Sequence, residues 1–202
     1  MNISRAIASL QSGNVIVFPT ETVYGLGADA LNHEAVERVF QLKGRNSENP
    51  IPIIVADQTM LRGLIDKIPP IAEKLIDRFW PGPLTLVLQA RPDTPKQLLN
   101  IRGGVGVRIS SQPIATQLSR ELGRPLTATS ANPSGKQAAS TIEQAENYFA
   151  GEIGIFLDGG KLPAKIGSSV VEVIEDRIKI IREGEISVSQ LAAIIGGQNI
   201  LH

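Results

Sequence analysis

The sequence predicts an α/β protein in which a twisted mixed sheet is covered by helices. Apolar runs of strand length alternate with segments of helical periodicity, and the last two strands are expected to form a hairpin, which a purely parallel sheet would not contain. The chain has 202 residues, of which 42% are hydrophobic and 20% charged, so it can bury a full core. We therefore expect a single domain over residues 1–202.

The first half of the chain is expected to alternate helices with strands. Apolar residues at helical spacing before Gly13 predict an opening helix, and Val15–Phe18 predicts a buried strand. Asn32 is a typical N-cap, and Gly44 is a typical helix end. The other elements expected here are a strand at 51–55, irregular or at a sheet edge because of Pro52, and helices at about 59–65 and from Pro69 to Trp80.

The second half carries clear helix start signals. Ser111 is a candidate N-cap, and Thr141 with Gln144 forms a capping box. Ser187 caps a last helix that ends at Gly196. The strands expected here are 84–88, 105–109, 126–129 and 153–157, followed by a hairpin of 170–174 and 178–181.

Composition excludes several classes of function. The formal net charge of +0 argues against a broad basic surface for coating nucleic acid. The chain has no cysteine and two histidines, so zinc thiolate sites and thiol nucleophiles are excluded and a histidine-based metal site is not expected. No apolar run approaches the length of a membrane span. We expect a cytoplasmic protein without a metal site of its own.

The stretch Pro19–Leu26, PTETVYGL, is the first candidate site. Three hydroxyl side chains (Thr20, Thr22 and Tyr24) and the carboxylate of Glu21 fall within five residues at a strand's exit. Two following glycines would allow the backbone to approach a ligand closely. The alternative is an ordinary polar turn, because turns are often built from such residues.

Four cations are candidates for an anion site. Lys43 and Arg45 follow a predicted helix and could face one polyanion, although a helix dipole also favours basic residues there. Arg108 interrupts an apolar strand and Arg182 closes one, and an arginine in such a place needs an anionic partner. That partner is either a carboxylate of the protein, in a structural ion pair, or a bound anion. Lys136 joins them only if it is not simply solvated.

A second polar loop follows the predicted strand 126–129. Ser130 and Asn132 could make close hydrogen bonds to a compact polar ligand, and a plain Asx turn before Pro133 is the alternative. Ser168 enters a later strand in a similar way but is a weak signal alone.

The chain resembles the YrdC-like family of threonylcarbamoyl-adenylate synthases in four stretches. In chain order these are PTETVYGLGADA, KGRNSENP, TSANPSGK and the hairpin from SSVVE to IIREG. The similarity runs from about Asn14 to Gly184. It implies a mixed sheet with helices that encloses a concave, positive cavity. It also implies the short, single-domain form of the family, since the chain stops soon after the last helix.

The resemblance implies a reaction. L-Threonine, bicarbonate or carbon dioxide, and ATP would form L-threonylcarbamoyl-AMP and pyrophosphate, with Mg²⁺ carried by ATP. A separate complex would then transfer the threonylcarbamoyl group to the tRNA adenosine beside the anticodon. Such a nucleotidyltransferase needs no protein nucleophile, because orientation and cations on the phosphates supply the rate. Whether the chain also binds tRNA weakly and directly is open.

Site residues carry over from the family position by position. Lys43 and Arg45 match the cations that face the nucleotide phosphates and would be the catalytic residues. The threonine-binding positions are Thr22, Arg108 and Ser168. The nucleotide-binding positions are Lys43, Arg45, Asn49, Ser130, Asn132 and Arg182.

Two positions depart from the family pattern, and some questions stay open. Ile54 stands where longer family members usually have a histidine near threonine, so threonine must be held differently. Asn46 replaces the usual proline after KGR. The sequence identifies neither a general base nor an oligomeric state, and residues 94–104 are suggested as a segment that closes over the site. The rival hypotheses are a non-catalytic binder of tRNA or rRNA and a regulator that binds ATP and threonine without turnover.

Overall fold

The computed structural model describes residues 2–44, 50–163 and 166–201. The helices in that part of the chain are α1 (Ile3–Gln11), α2 (His33–Lys43), α3 (Gln58–Leu64), α4 (Pro70–Phe79), α5 (Pro113–Leu122), α6 (Ile142–Phe149) and α7 (Val188–Ile195). The strands are β1 (Ile16–Phe18), β2 (Gly25–Gly27), β3 (Ile53–Ile54), β4 (Leu84–Gln89), β5 (Gly104–Arg108), β6 (Leu126–Thr127), β7 (Thr129–Ser130), β8 (Ser169–Ile174), β9 (Arg177–Arg182) and β10 (Ile200–Leu201).

The larger sheet is mixed, as the sequence predicts. Its strand order is β10-β9-β8-β4-β5-β3-β6. The pairs β10/β9, β4/β8 and β3/β5 are parallel, whereas β8/β9, β4/β5 and β3/β6 are antiparallel. The predicted late hairpin is confirmed as β8 and β9, and its turn holds Glu175 at φ 56°.

A smaller antiparallel sheet, β1-β2-β7, lies beside the first. The chain passes from β6 in the large sheet to β7 in the small one across a single residue, Ala128. The sequence does not predict β2, because glycines usually weaken strands. Here the glycines are needed because β2 packs directly against the Phe18 ring: a Cβ at Gly27 would lie 2.8 Å from Phe18 Cε1.

The predicted helix ends are largely confirmed. Asn32 caps α2, which ends at Gly44 in the left-handed region with φ 58°. The capping boxes that open α6 and α7 both form. The N-cap predicted for α5 is wrong by one residue: the side chain of Gln112, not Ser111, accepts a hydrogen bond from the Ile114 amide.

Two strand predictions need correction, and one strand was not predicted. The strand β3 lies between β5 and β6, not at an edge, because Pro52 precedes its two paired residues. The predicted strand 153–157 is reduced to a single parallel bridge between Phe156 and Val17. The short strand β10 has no clear pattern in the sequence and was not predicted.

The helices pack against the sheets in two apolar cores. In the smaller core, Ala6, Ile7 and Leu10 of α1 pack with Leu118 of α5 and with Ile54 of β3. The larger core contains the buried faces of α2, α4, α6 and α7 and alternate residues of β4 and β5. Strand residues that point away from the larger core are therefore free to build a polar surface at the strand ends.

Candidate functional site

One end of the larger sheet collects polar side chains from several strands. The carboxyl ends of β3 and β5 lie together there, since Ile54 pairs with Arg108. The starts of β4 and β8 lie at the same end, because Leu84 pairs with Ser169. The carboxyl end of β9 completes it, since Arg182 pairs with Val170. We call this the site end of the sheet.

Arg108 is buried at the site end and forms an ion pair. Its Nη1 lies 2.8 Å from Oε1 of Glu21, and the second carboxylate oxygen of Glu21 accepts a hydrogen bond from the Ser110 hydroxyl. The side chains of Arg108 and Glu21 are 5% and 12% exposed. Burial lowers the pKa of the Arg108 guanidinium from its ordinary value, and the charge of Glu21 opposes that shift.

The turn that carries Glu21 is held by its own hydroxyls. Thr20 Oγ1 lies 3.0 Å from Thr22 Oγ1, accepts from the Thr22 amide at 3.2 Å and donates to the Val23 carbonyl at 2.7 Å. Both threonines are buried. Since Glu21 lies between them and reaches Arg108, the turn places Thr22 beside the site end.

Lys43, Ser130 and Asn132 form a second group. Lys43 Nζ donates to the Ser130 carbonyl at 2.7 Å, to the Ser130 hydroxyl at 3.3 Å and to Oδ1 of Asn132 at 3.1 Å. Asn132 in turn donates to the carbonyls of Pro133 and Lys136. The left-handed Gly44 ends α2 just after Lys43, so the helix delivers the ammonium to this loop.

Backbone pairing joins this second group to the Glu21 turn. Ser130 pairs with Gly25 across β2 and β7, and the Ala131 amide donates to the Tyr24 carbonyl at 2.7 Å. Tyr24 follows Thr22 by two residues. The Lys43 group and the Arg108 pair are therefore connected through one short segment of chain.

Ser168 and Arg182 form a third group at the site end. Arg182 Nη2 donates to the Ser168 carbonyl at 2.7 Å, and Thr85 Oγ1 lies 2.9 Å from Ser168 Oγ. The backbone is tightly packed here, since a Cβ at Gly184 would lie 2.2 Å from the Gly167 carbonyl oxygen. The Ser168 carbonyl, directly before β8, thus orients the Arg182 guanidinium.

The structure brings most of the predicted site residues to one region. These three groups contain the predicted residues Thr22, Lys43, Arg108, Ser130, Asn132, Ser168 and Arg182. The predicted residues Arg45 and Asn49 lie outside the described residues. Lys136 is exposed, and its carbonyl accepts from Asn132. Ile54 packs in the smaller core.

No specific role was predicted for two side chains of the PTETVYGL stretch, Glu21 and Tyr24. Glu21 was noted in the polar stretch but not assigned a role, although a carboxylate beside a loop of hydroxyls was the available signal. Tyr24 is fully buried, and its hydroxyl accepts from the Gly159 amide at 3.0 Å and donates to the Gly160 carbonyl at 2.7 Å. It thereby holds the segment 158–160 against the Glu21 turn.

Other features of the described residues lie away from the site end. A cleft of about 690 Å³ lies between Arg5, Glu34, Arg38 and Glu152. No described cluster of three His, Asp or Glu side chains is arranged to hold a metal ion. Among the described helices, none has the length and apolar character needed to cross a membrane. The concave cavity expected from the family resemblance stays a prediction.

Fold and site together define a mixed α/β protein whose polar groups meet at strand ends, where ligands commonly bind. The family model Sua5_yciO_yrdC, whose description is "Telomere recombination", matches residues 8–184. The chain belongs to the Sua5/YciO/YrdC family.

Relatives in the family are similar over almost the whole chain. Threonylcarbamoyl-AMP synthase of Bacillus subtilis is 39% identical over 196 residues, which cover 96% of this chain and 56% of that protein. The protein of the same name from Pyrococcus abyssi is 38% identical, with 96% of this chain and 57% of that protein covered. The chain therefore spans little more than half the length of these two relatives.

Solved structures show the same fold. Pyrococcus abyssi Sua5 complexed with L-threonine superposes with a TM-score of 0.93 at 38% identity, covering 98% of this chain and 58% of that one. Escherichia coli YciO superposes with a TM-score of 0.85 at 26% identity, covering 94% of this chain and 92% of that one. The predicted YrdC-like fold is thus confirmed.

Proposed function

We propose that the chain is an L-threonylcarbamoyladenylate synthase. The observation that carries this proposal is the meeting, in one region, of a threonine-rich turn, a buried arginine and a lysine-centred loop. Relatives named threonylcarbamoyl-AMP synthase support it, as does the Pyrococcus abyssi protein that binds L-threonine in its solved structure. No described feature favours RNA binding, and the net charge of +0 counts against it.

The proposed site has two parts, one for threonine and one for the nucleotide. Thr22, Arg108 and Ser168 bind threonine, with the guanidinium of Arg108 available to its carboxylate. The nucleotide lies on the other side, where cations neutralise its phosphates. The residues assigned to the nucleotide are Lys43, Arg45, Asn49, Ser130, Asn132 and Arg182, of which Lys43 and Arg45 are the catalytic pair.

The reaction needs orientation more than a protein nucleophile. The amine of threonine and bicarbonate form a carbamate with loss of water. A carbamate oxygen then attacks the α-phosphorus of ATP, and the bond to the β-phosphate bridging oxygen breaks to release pyrophosphate. The carbamate must be kept from water, and the burial of Thr20 and Thr22 shows that little solvent reaches the turn at which we place it.

The rest of the proposal concerns the cellular setting. Mg²⁺ enters with ATP and shields its phosphates. The product passes to a separate complex that modifies the tRNA adenosine beside the anticodon. We place this chemistry in the cytoplasm and in one domain over residues 1–202.

A direct assay tests the proposal. The purified protein is incubated with ATP, Mg²⁺, bicarbonate and each amino acid in turn, and AMP adducts are detected by mass spectrometry. We expect an adduct of threonylcarbamoyl mass with threonine, accompanied by pyrophosphate. Strong, steeply salt-dependent tRNA affinity without pyrophosphate release would instead support the RNA-binding hypothesis.

The variant Lys43→Ala tests the nucleotide-binding part of the proposed site. Loss of a cation that faces transferring phosphates is expected to lower threonine-dependent pyrophosphate release by about a hundredfold or more. Lys74→Ala, on the exposed face of α4, is the control and should retain the wild-type rate. Thermal unfolding shows whether the variant is folded, and a folded Lys43→Ala protein with an unchanged rate would remove Lys43 from the site.

A further inference from the structure

The segment 153–157 has a strand-like sequence but pairs with the protein on one side only. The Val17 amide of β1 donates to the Ile155 carbonyl, and the Leu157 amide donates to the Val17 carbonyl, both at 2.9 Å. These two bonds make the segment a fourth, outermost member of the smaller sheet, next to β1. Its other side is therefore an edge of that sheet.

The outward side of this edge carries backbone groups without a partner. In an extended chain, neighbouring residues point their amides and carbonyls to opposite sides, so those of Gly154 and Phe156 face away from β1. Neither residue has a hydrogen bond to any residue that the structure describes. Gly154 is exposed, and a Cβ placed on it would have nothing within 4 Å. The edge is therefore open and can accept another strand.

A polar cleft of about 690 Å³ continues from the edge and includes Gly154 in its lining. Its charged lining residues are two arginines and two glutamates: Arg5, Arg38, Glu34 and Glu152. Because these charges balance, the cleft does not attract a polyanion such as nucleic acid. A polypeptide matches both features, since its backbone offers donors and acceptors to the edge and its side chains can fill the cleft.

The charges that flank the edge argue against a second copy of this chain as its occupant. Two copies paired antiparallel through Gly154 and Phe156 would place Glu152 of each copy opposite Asp158 of the other. Like charges directly opposite each other in a sheet are destabilising. Arg38 contacts Glu152 only at 3.9 Å, with both side chains half exposed, so a second cation can still approach this carboxylate. The flanking carboxylates therefore favour a segment with basic ends.

We propose that residues 153–157 are a docking edge for an extended segment of a partner protein, which pairs antiparallel with them and adds a strand to the smaller sheet. The segment has apolar side chains opposite the half-buried Ile155 and Phe156, and basic residues opposite Glu152 and Asp158. Backbone hydrogen bonds supply its affinity, and the flanking charges supply selectivity. This surface is separate from the proposed reaction and does not depend on it.

The capped heptapeptide KTVVTTK is the probe. In antiparallel pairing its lysines lie opposite the two flanking carboxylates, and its valines lie opposite Ile155 and Phe156. The isotopically labelled full chain is titrated with this peptide and followed by NMR. We expect chemical-shift changes confined to residues 152–158 and the adjoining cleft, and slower hydrogen exchange of the Gly154 and Phe156 amides.

Two matched peptides separate the backbone contribution from the charges. The peptide ETVVTTE reverses both flanking charges and should bind at least about threefold more weakly. The second peptide is KTVVTTK with N-methyl groups on its third and fifth residues, which removes the amides that face the Phe156 and Gly154 carbonyls. It should bind at least about tenfold more weakly.

The variant Gly154→Pro removes one outward amide from the edge itself. It should bind KTVVTTK at least about threefold more weakly than the wild type. Gly154→Ala keeps the amide and has space for its Cβ, so it is the matched control and should bind with unchanged affinity. Thermal unfolding shows whether both variants are folded.

Several outcomes overturn the inference. The docking edge is rejected if millimolar KTVVTTK causes no shifts, if the shifts lie elsewhere, or if the N-methylated peptide binds equally well. Equal binding of ETVVTTE rejects a partner with basic ends. If Gly154→Pro does not fold, the peptide series on the wild type decides. A dimer that forms without peptide in sedimentation experiments, and that Gly154→Pro dissociates, would replace the partner segment by a second copy of the chain.

Discussion

The two ends of the larger sheet both bury a carboxylate next to an arginine, but they do so differently. At the end opposite the site, Glu172 lies 2.9 Å from Arg102 and accepts from Asn100 Nδ2 at 2.9 Å. There the arginine is exposed, at 52%, and reaches inward from solvent. At the site end the arginine itself is buried, and the carboxylate of Glu21 comes from another sheet. A buried guanidinium is the rarer and more costly arrangement, and this is why we propose the site at that end.

The suggestion that residues 94–104 close over the site can be compared with the place of that segment in the larger sheet. That segment leads into the start of β5 at Gly104, whereas the site lies at the other end of the same strand, at Arg108. Asn100 fixes the loop by accepting from the Arg102 and Gly104 amides, and Leu98 is buried in the core. These contacts do not support the suggestion that this segment closes over the site, which stays a prediction.

Removing each arginine in turn is the strongest test of this contrast. Arg108→Ala is expected to lower kcat/KM for threonine by at least about a hundredfold, because it removes the carboxylate partner and leaves Glu21 buried without its counter-ion. Arg102→Ala should keep kcat/KM for threonine within about threefold of the wild type, because the half-exposed Arg102 lies at the end opposite the proposed site and Glu172 keeps its hydrogen bond from Asn100. Threonine-dependent pyrophosphate release and thermal unfolding measure both effects.

Equal losses of activity in the two variants would break the distinction between the ends. A folded Arg108→Ala protein with normal kcat/KM for threonine would show that the buried ion pair only connects the sheets. In that case the threonine site must lie elsewhere.

Local signals explain what the sequence could predict. Helix ends depend on residues close in the chain, so Asn32, Gly44, the capping box at Thr141 and the cap at Ser187 were found correctly. The β8 and β9 hairpin is likewise local. Strands of two or three residues, such as β2 and β7, are formed by pairing between distant segments, and their own sequence carries almost no periodicity.

The site shows the same limit. The expectation that Arg108 needs an anionic partner follows from its place in an apolar strand, but the identity of that partner does not. Glu21 lies 87 residues away, and only the packing of one sheet beside the other brings them together. The family resemblance supplied most of the candidate positions, whereas the contacts that Glu21 and Tyr24 make near them required the structure.

Glycine substitutions test whether the tight backbone packing at the site end is required there. Gly184→Ala should destabilise the protein by about 2 kcal/mol, because the added Cβ would meet the Gly167 and Ser168 backbone. Gly63→Ala, in α3 with open space around it, should stabilise by about 0.5–1 kcal/mol. Urea unfolding measures both changes, and threonine affinity should fall only in Gly184→Ala because Ser168 is displaced.

If Gly184→Ala were as stable as the wild type, the backbone at the site end would be able to adjust. The close approach would then not be required to orient Ser168 and Arg182.

The smallest expected loss of stability concerns Tyr24, whose hydroxyl holds residues 158–160 against the Glu21 turn. Tyr24→Phe leaves the Gly159 amide without its acceptor and should cost about 1–2 kcal/mol in the free energy of unfolding. Tyr148→Phe, at a partly buried position on α6, is the matched control and tests whether loss of any tyrosine hydroxyl has this effect.

The ionisation of Tyr24 gives the same hydroxyl a pH signature. Burial raises the pKa of Tyr24 to about 12, opposed by the hydrogen bond from Gly159 and reinforced by Asp158. An unfolded tyrosine ionises near pH 10, so the unfolded chain releases this proton first. The contribution of Tyr24 to stability is therefore complete below about pH 10 and is lost as pH rises towards 12. The difference between the ultraviolet titrations of wild type and Tyr24→Phe isolates this group, and a midpoint near 10 would mean that solvent reaches the hydroxyl and that it does not hold residues 158–160.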